Sequence, residues 1–197
     1  MHQKIQLLLA QITALEDDLR SALREQETQL FYQVNGKRVE FEETIRKTHQ
    51  KIKRGLWRWI VTDRPQNFFT GPIIYSMIIP MLLLDLSVTL YQTLCFPIYR
   101  IAKVRRVDYL VDDRKHLGYL NIVERFHCTY CSYGSGLLAY TAEIVARTEQ
   151  YFCPIKHARK VLHAHSRYKT FLAFGDGEHY HARLEEFRNS LDQEIPR

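Results

Sequence analysis

Residues 71–99, GPIIYSMIIPMLLLDLSVTLYQTLCFPIY, are the feature that most constrains the fold of this 197-residue chain. Asp85 is the only charged side chain in this block. A straight helix of this length would measure about 43 Å, whereas the hydrocarbon core of a bilayer is roughly 30 Å thick. Such a long apolar helix is unusual in the core of a soluble protein. The sequence therefore predicts a membrane segment at residues 66–100.

Two topologies are open for this segment. The flanking cations are nearly equal in number: Lys51, Lys53, Arg54, Arg58 and Arg64 before it, and Arg100, Lys103, Arg105, Arg106, Arg114 and Lys115 after it. A simple span normally has more Lys and Arg on its cytosolic side. The segment is thus either one kinked span or a hairpin that bends at Pro80 and Asp85 and leaves by the face it entered. In both cases Asp85 should face protein or water, because a carboxylate against lipid is costly.

The region before the block, residues 34–65, predicts a hairpin and a basic juxtamembrane helix. LFYQVNGKRVEF contains two β-prone runs around Asn35-Gly36, a dipeptide suited to a two-residue turn; a helix-to-helix turn is the alternative. Trp57, Arg58 and Trp59 match a membrane interface, where indole rings lie at headgroup level and cations meet anionic lipid. The net charge of +6 therefore indicates a phospholipid partner rather than nucleic acid.

The amino-terminal region, residues 1–33, predicts an amphipathic, coiled-coil-like helix. Its apolar residues follow a 3-4-3-4-3 spacing: Ile5, Leu8, Ile12, Leu15, Leu19 and Ala22. This seam could pair with another helix, giving a homo- or hetero-oligomer through residues 5–22, or pack on the protein's own core.

The remainder, residues 101–197, predicts a helical Cys/His module. We expect a helix at 117–126, a break at SYGSG, a long helix at about 137–152, and a last amphipathic helix at about 178–191. The overall prediction is a mainly α-helical, membrane-attached protein with an amino-terminal coiled-coil-like helix and one small β-hairpin.

Four residues of this module match the ligands of a tetrahedral zinc ion. They follow the pattern C-x2-C-x21-C-x3-H, formed by Cys128, Cys131, Cys153 and His157. The prediction requires SYGSG to fold the intervening helix back, so that CPIKH reaches the CxxC pair. His127 competes as the fourth ligand.

Other chemistries for these cysteines are open. Glu149 lies one turn before Cys153 and could hydrogen-bond a metal ligand. An iron–sulfur centre fits less well, because it would need Cys95 from the apolar block as its fourth thiolate. Cys128 and Cys131 alone could form a redox couple, and all of these thiols could instead be small buried side chains.

Two stretches resemble a family of uncharacterised small bacterial membrane-associated proteins. They are RPQNFFTGPIIYSMIIPMLLLDLSVTLYQTLCFPIYRIAKVRRVDYLVDDR (64–114) and YCSYGSGLLAYTAEIVARTEQYFCPIKHARK (130–160). The shared elements are the RP-x-N entry, the apolar block with its acid, the CxxC-like pair and the ARTEQY-x-CPIKHAR run. The resemblance implies a bacterial envelope setting and a functional centre near the cysteines, and it implies no mechanism.

The predicted function is structural, or an interaction and assembly role, at a bacterial inner membrane with the polar modules in the cytoplasm. No secretory signal precedes the helical repeat, and cytosolic thiols stay reduced. The alternative is a membrane-bound metal- or thiol-dependent enzyme, or a redox protein, acting on a lipid-soluble substrate. No Walker loop, dinucleotide fingerprint, nucleophile elbow or HExxH motif occurs, which lowers the odds of a familiar enzyme class.

Overall fold

The computed structural model describes residues 11, 14–15, 17–22, 24–25, 32–35, 38–41, 43–53, 66–162, 164–178 and 180–195. The elements are mainly helical: β1 (Tyr32–Asn35), β2 (Arg38–Phe41), α1 (Glu43–Ile52), α2 (Gln66–Ser76), α3 (Ile78–Ile98), α4 (Ile122–Phe152) and α5 (Tyr180–Gln193). Two compact units are present. The first comprises residues 1–59 and 112–128, and the second residues 60–111 and 129–197.

The first unit contains the β-hairpin and α1. β1 and β2 pair antiparallel, with Asn35 opposite Arg38. Asn35 of the predicted Asn35-Gly36 turn is therefore the last residue of β1, and positions 36 and 37 lie outside the described residues. In the amino-terminal region the described positions are helical, and Leu15 and Leu19 of the predicted seam are exposed. The rest of that seam, except Ala22, lies outside the described residues, as do Trp57, Arg58 and Trp59.

The start of α4 is specified locally by an Asn-x-x-Glu capping box. The side-chain Oδ1 of Asn121 accepts the backbone N–H groups of Val123 at 3.0 Å and Glu124 at 2.9 Å. In return, the carboxylate of Glu124 accepts the Asn121 N–H at 2.8 Å. These bonds satisfy amide groups that lack an intrahelical partner at a helix start.

In the second unit the apolar block is helical and does not double back. The helix is interrupted between α2 and α3, at Met77. The predicted bend at Pro80 and Asp85 is therefore wrong, and with it the hairpin that depended on this bend. The physical reason is position: Pro80 lies in the first turn of α3, where a backbone N–H would have no helical partner in any case.

α3 ends in a Schellman motif that reverses the chain. The Ile101 N–H donates to the Phe96 carbonyl at 2.9 Å, and Arg100, at φ 54°, donates to the Pro97 carbonyl at 3.4 Å. Ile101 and Phe96 both belong to the core of this unit. The following segment, residues 101–110, therefore runs back along α3.

α4 is continuous through SYGSG, so the predicted break is wrong. Both glycines are close-approach sites. A Cβ at Gly136 would lie 2.6 Å from the Tyr109 carbonyl oxygen, and one at Gly134 would lie 3.2 Å from Cε of Met81. Glycine is thus used here to let α3 and the returning segment approach the helix.

The core of the second unit lies between α3, the returning segment, α4 and α5. Its fully buried members include Phe96, Leu137, Tyr140, Ile144 and Leu191. α5 covers Tyr180–Gln193, close to the predicted helix at 178–191, and buries Leu184 and Leu191. Its amphipathic spacing therefore located a helix that packs on the core.

Candidate functional site

The outward face of α2 and α3 is apolar. Phe69–Ile98 is long and apolar enough to cross a membrane, and only 6% of its most apolar stretch is buried. The core helix of a soluble protein would be mostly buried. The exposed large side chains of this face are Phe69, Ile73, Ile79, Leu82, Leu83, Leu86, Leu90, Leu94 and Ile98.

The opposite side of α3 contains a polar cluster centred on Asp85, which is 9% exposed. Arg106 binds the Asp85 carboxylate with both terminal guanidinium nitrogens, and the Nη2–Oδ2 distance is 2.6 Å. The Tyr133 hydroxyl donates to Oδ2 at 2.8 Å, and Thr89 donates to Oδ1 at 3.3 Å. Asp85 therefore faces protein, which is one of the two environments expected for it from the sequence.

A second polar contact lies two helical turns further along α3. Gln92, 6% exposed, donates from Nε2 to the Tyr140 hydroxyl and accepts the Val104 backbone N–H at 3.0 Å. Asp85 and Gln92 are seven residues apart, as are their partners Tyr133 and Tyr140. This matched spacing places each pair on one helix face, and it is the signal by which the sequence could have revealed the cluster.

Arg167 is the centre of a third polar cluster, which joins α4 to the end of α5. Its guanidinium donates to Glu143 at 3.0 Å, to Gln150 at 2.9 Å, and to both carboxylate oxygens of Glu194 at 2.8 and 2.7 Å. The Arg167 hydrogen bonds hold the pKa of Glu194 below its ordinary value, against the opposing effect of burial. Arg147 adds a bond to Glu143 at 2.9 Å. Of these contacts, only Glu143–Arg147 has a local signature in the sequence, because the two residues are four apart on one helix.

The predicted zinc ligands are not brought together. Cys131 lies on α4 and Cys153 just beyond its end, so about 33 Å of continuous helix separates them. Sulfur ligands of one tetrahedral zinc ion lie about 4 Å apart. Among the described residues, no three His, Cys, Asp or Glu side chains are grouped to hold a metal ion. The Cys3His site is therefore wrong for this fold, because the GSG turn that it requires is helical.

The neighbouring residues have other partners. The His157 ring stacks on Tyr168, and its backbone N–H donates to the Tyr168 hydroxyl at 2.7 Å. Glu149 contacts His165, with 2.9 Å between Oε2 and Nε2. His127 is half-buried beside Cys128 on α4. The Glu149–His165 pair is a contact that the sequence analysis did not foresee.

All four cysteines are free thiols, and Cys131 and Cys153 are exposed. The interpretation of the set as buried core side chains therefore does not hold for those two. Residues three apart on a helix have Cβ atoms about 5–6 Å apart, whereas a disulfide needs about 3.5–4.5 Å. A Cys128–Cys131 disulfide would thus require that turn of α4 to unwind.

Comparison with family models, with curated proteins and with solved structures gives no match. The resemblance to a bacterial membrane-associated family stays a prediction.

Proposed function

We propose that this protein attaches to a bacterial inner membrane through the outward face of α2 and α3, and that it has a structural or assembly role there. The observation that supports this proposal is that only 6% of its most apolar stretch is buried, and that one side of α3 presents large apolar side chains to the outside. An apolar surface of this extent is rare on a soluble monomer, because it leaves many large side chains in water. Lipid is the partner whose chemistry matches a helix face of Leu, Ile and Phe.

The inner polar face supports an in-plane attachment rather than a span. The returning segment brings Arg106 to Asp85, near the middle of the apolar stretch, and leaves Lys103 and Arg105 exposed on the same segment. If Phe69–Ile98 crossed the bilayer, these cations would lie within its depth, where each costs several kcal/mol (about 2.5–3.5 on insertion scales). With α3 parallel to the surface, they face headgroups and water.

The attachment is tested by flotation of the full chain with liposomes. Leu83→Asp and Leu90→Asp should move the protein from the floated to the soluble fraction, since each places a charge on the lipid-facing side. Leu162→Asp is the matched control, because Leu162 is even more exposed than Leu83 and Leu90 but lies outside these helices. Equal flotation of all three variants and the wild type would exclude this face as the anchor.

The orientation is tested with an environment-sensitive fluorophore on a single cysteine, introduced at Leu83 or at Arg105 in a chain whose native cysteines are replaced by serine. In-plane attachment predicts that lipid-borne quenchers act on position 83 and that aqueous iodide acts on position 105. A spanning helix predicts lipid quenching at both positions. Folding of the cysteine-free chain is verified by circular dichroism.

The proposed assembly role rests on Leu15 and Leu19 of the amino-terminal seam, whose side chains are exposed. Deletion of residues 1–30 should change the oligomeric state in detergent or abolish partner pull-down. An unchanged result in both assays would remove the assembly role and leave membrane attachment intact. The metal- or thiol-dependent enzyme stays a prediction from the sequence, and the grouping of the described residues gives the metal-dependent form no support.

A further inference from the structure

We infer that the first unit binds the phosphate group of a phosphomonoester in a cavity between α1 and residues 116–125. This basic cavity has a volume of about 590 Å³. Its lining is formed by Phe41, Arg46, His49, Gln50, Lys53, His116, Gly118 and Arg125. The inference is independent of the proposed membrane anchor, which belongs to the second unit.

The charge of the lining is of one sign. Three permanent cations and two imidazoles line the basic cavity, and no carboxylate is among the described lining residues. Three acids of this unit are engaged elsewhere: Glu43 with Lys47 at 3.0 Å, Asp112 with Lys115 at 2.9 Å, and Glu124 in the α4 capping box. Grouped cations repel one another at short range, and a bound anion would relieve that repulsion.

Two buried side-chain nitrogens in this lining have no hydrogen-bond partner among the described residues. They are Nε of Arg125 and Nδ1 of His49. Buried polar nitrogens of folded proteins are nearly always paired, so an unpaired set in a cavity points to a ligand. Anionic oxygens are acceptors that could pair with both nitrogens.

The His49 ring is held in place before any ligand arrives. It packs edge-on against Phe41 and Tyr119, each with ring centroids 5.0 Å apart. Gly118 allows this position, because a Cβ there would lie 3.2 Å from the His49 Cβ. A fixed donor loses little conformational entropy when it binds, which favours a specific site over a diffuse basic surface.

Phosphate fits this lining better than other anions do. A guanidinium donates two parallel hydrogen bonds to phosphate oxygens, and a monoester carries up to two negative charges to balance the cations. The volume lies within the range of about 300–1,000 Å³ that is typical of ligand sites, so it would also hold the organic group of an ester. Two sources share this chemistry: the headgroup of a phosphatidic-acid-type lipid, and a small soluble phosphomonoester.

The test measures binding to the full-length protein in a neutral detergent. Glycerol 3-phosphate is titrated calorimetrically, and binding to phosphatidylcholine vesicles is compared with and without phosphatidic acid. Arg125→Gln and Arg46→Gln should each weaken the affinity about tenfold, because each removes a charged donor. Lys51→Gln removes the same charge from α1 but lies outside the cavity lining, so its affinity should equal that of the wild type.

The possible outcomes distinguish the soluble ligand from the lipid, and both from failure of the inference. Loss of glycerol 3-phosphate binding in the lining variants identifies a soluble ligand, and loss of only the phosphatidic-acid-dependent binding identifies the lipid. Equal effects of Lys51→Gln and Arg46→Gln in both assays would show a diffuse basic surface and overturn the inference, as would no binding of either probe to the wild type. Arg125→Lys keeps the positive charge and serves as a control for misfolding. It should bind the phosphate probes more tightly than Arg125→Gln does.

Discussion

At the residue scale, Asp85 shows how an acid is accommodated in an apolar helix. Its carboxylate is enclosed by Arg106, Tyr133 and Thr89, so its charge and its lone pairs are satisfied inside the protein. A buried carboxylate is tolerated only when such partners compensate its lost hydration. Removing the charge by replacing Asp85 with asparagine would leave Arg106 without its counter-charge and would exchange one of the two acceptor oxygens for an NH2 group.

We predict that Asp85→Asn lowers the free energy of unfolding by about 2–3 kcal/mol. The loss is below that for a fully buried pair, because the Arg106 side chain is 44% exposed. Asp108→Asn is the matched control: its pair with Arg105 is exposed at 3.6 Å, so the change should stay within about 0.5 kcal/mol. Thermal and denaturant unfolding in detergent measures both. A loss for Asp85→Asn no larger than that of the control would contradict a structural role for this cluster.

At the element scale, α4 depends on two glycines that sequence patterns alone assign to a break. Glycine is unfavourable inside a helix by about 0.5–1 kcal/mol relative to alanine. It is retained here where the backbone of residues 109–110 passes directly over the helix.

We predict different outcomes for the two alanine substitutions in α4. Gly136→Ala should lower the free energy of unfolding by about 1–3 kcal/mol, because the new Cβ would meet the Tyr109 carbonyl oxygen at 2.6 Å. Gly134→Ala meets the flexible end of Met81 at 3.2 Å, so its cost should be offset by the better helix propensity of alanine. Denaturant unfolding of both variants checks this order, and equal destabilisation would show that the close approach at Gly136 is not limiting.

At the scale of the second unit, Arg167 connects parts of the chain that are distant in sequence. It joins Glu143 and Gln150 of α4 to Glu194, beyond α5. The cluster therefore makes the position of α5 depend on charge as well as on the burial of Leu184 and Leu191.

The Glu194 contact predicts a pH-dependent stability. Arg167 holds the pKa of this carboxyl below its ordinary 4.5, so its stabilising contribution is present above that pH and is lost as the pH falls through the lowered value. Glu194→Gln should therefore lower the Tm at neutral pH, and the difference from wild type should shrink below about pH 4.5. Glu185→Gln, in an exposed pair with Arg188, is the control. A Tm difference that persists unchanged into acid would contradict this assignment.

Local signals in the sequence determined much of the helical framework. The apolar run and the spacing of Leu184 and Leu191 each act within a few residues, so those helices were predicted close to where they occur. The Asn121-x-x-Glu124 cap is also local, but the predicted helix began at 117 and α4 begins at Ile122. The exposed apolar face of α3 also follows from composition, because 71–99 has too few polar residues to form an amphipathic core helix.

Only the tertiary structure decided the polar partners and the outcome of the cysteine pattern. Arg106 is 21 residues from Asp85 in the sequence, and Tyr133 is 48 residues from Asp85. No local conformational preference acts over such separations. The glycines of SYGSG remain helical because packing against Tyr109 and Met81 outweighs their weak preference for a turn. That continuous helix holds Cys131 and Cys153 apart. The sequence therefore contains a complete set of zinc-ligand residue types, but the fold does not bring them together to form a metal site.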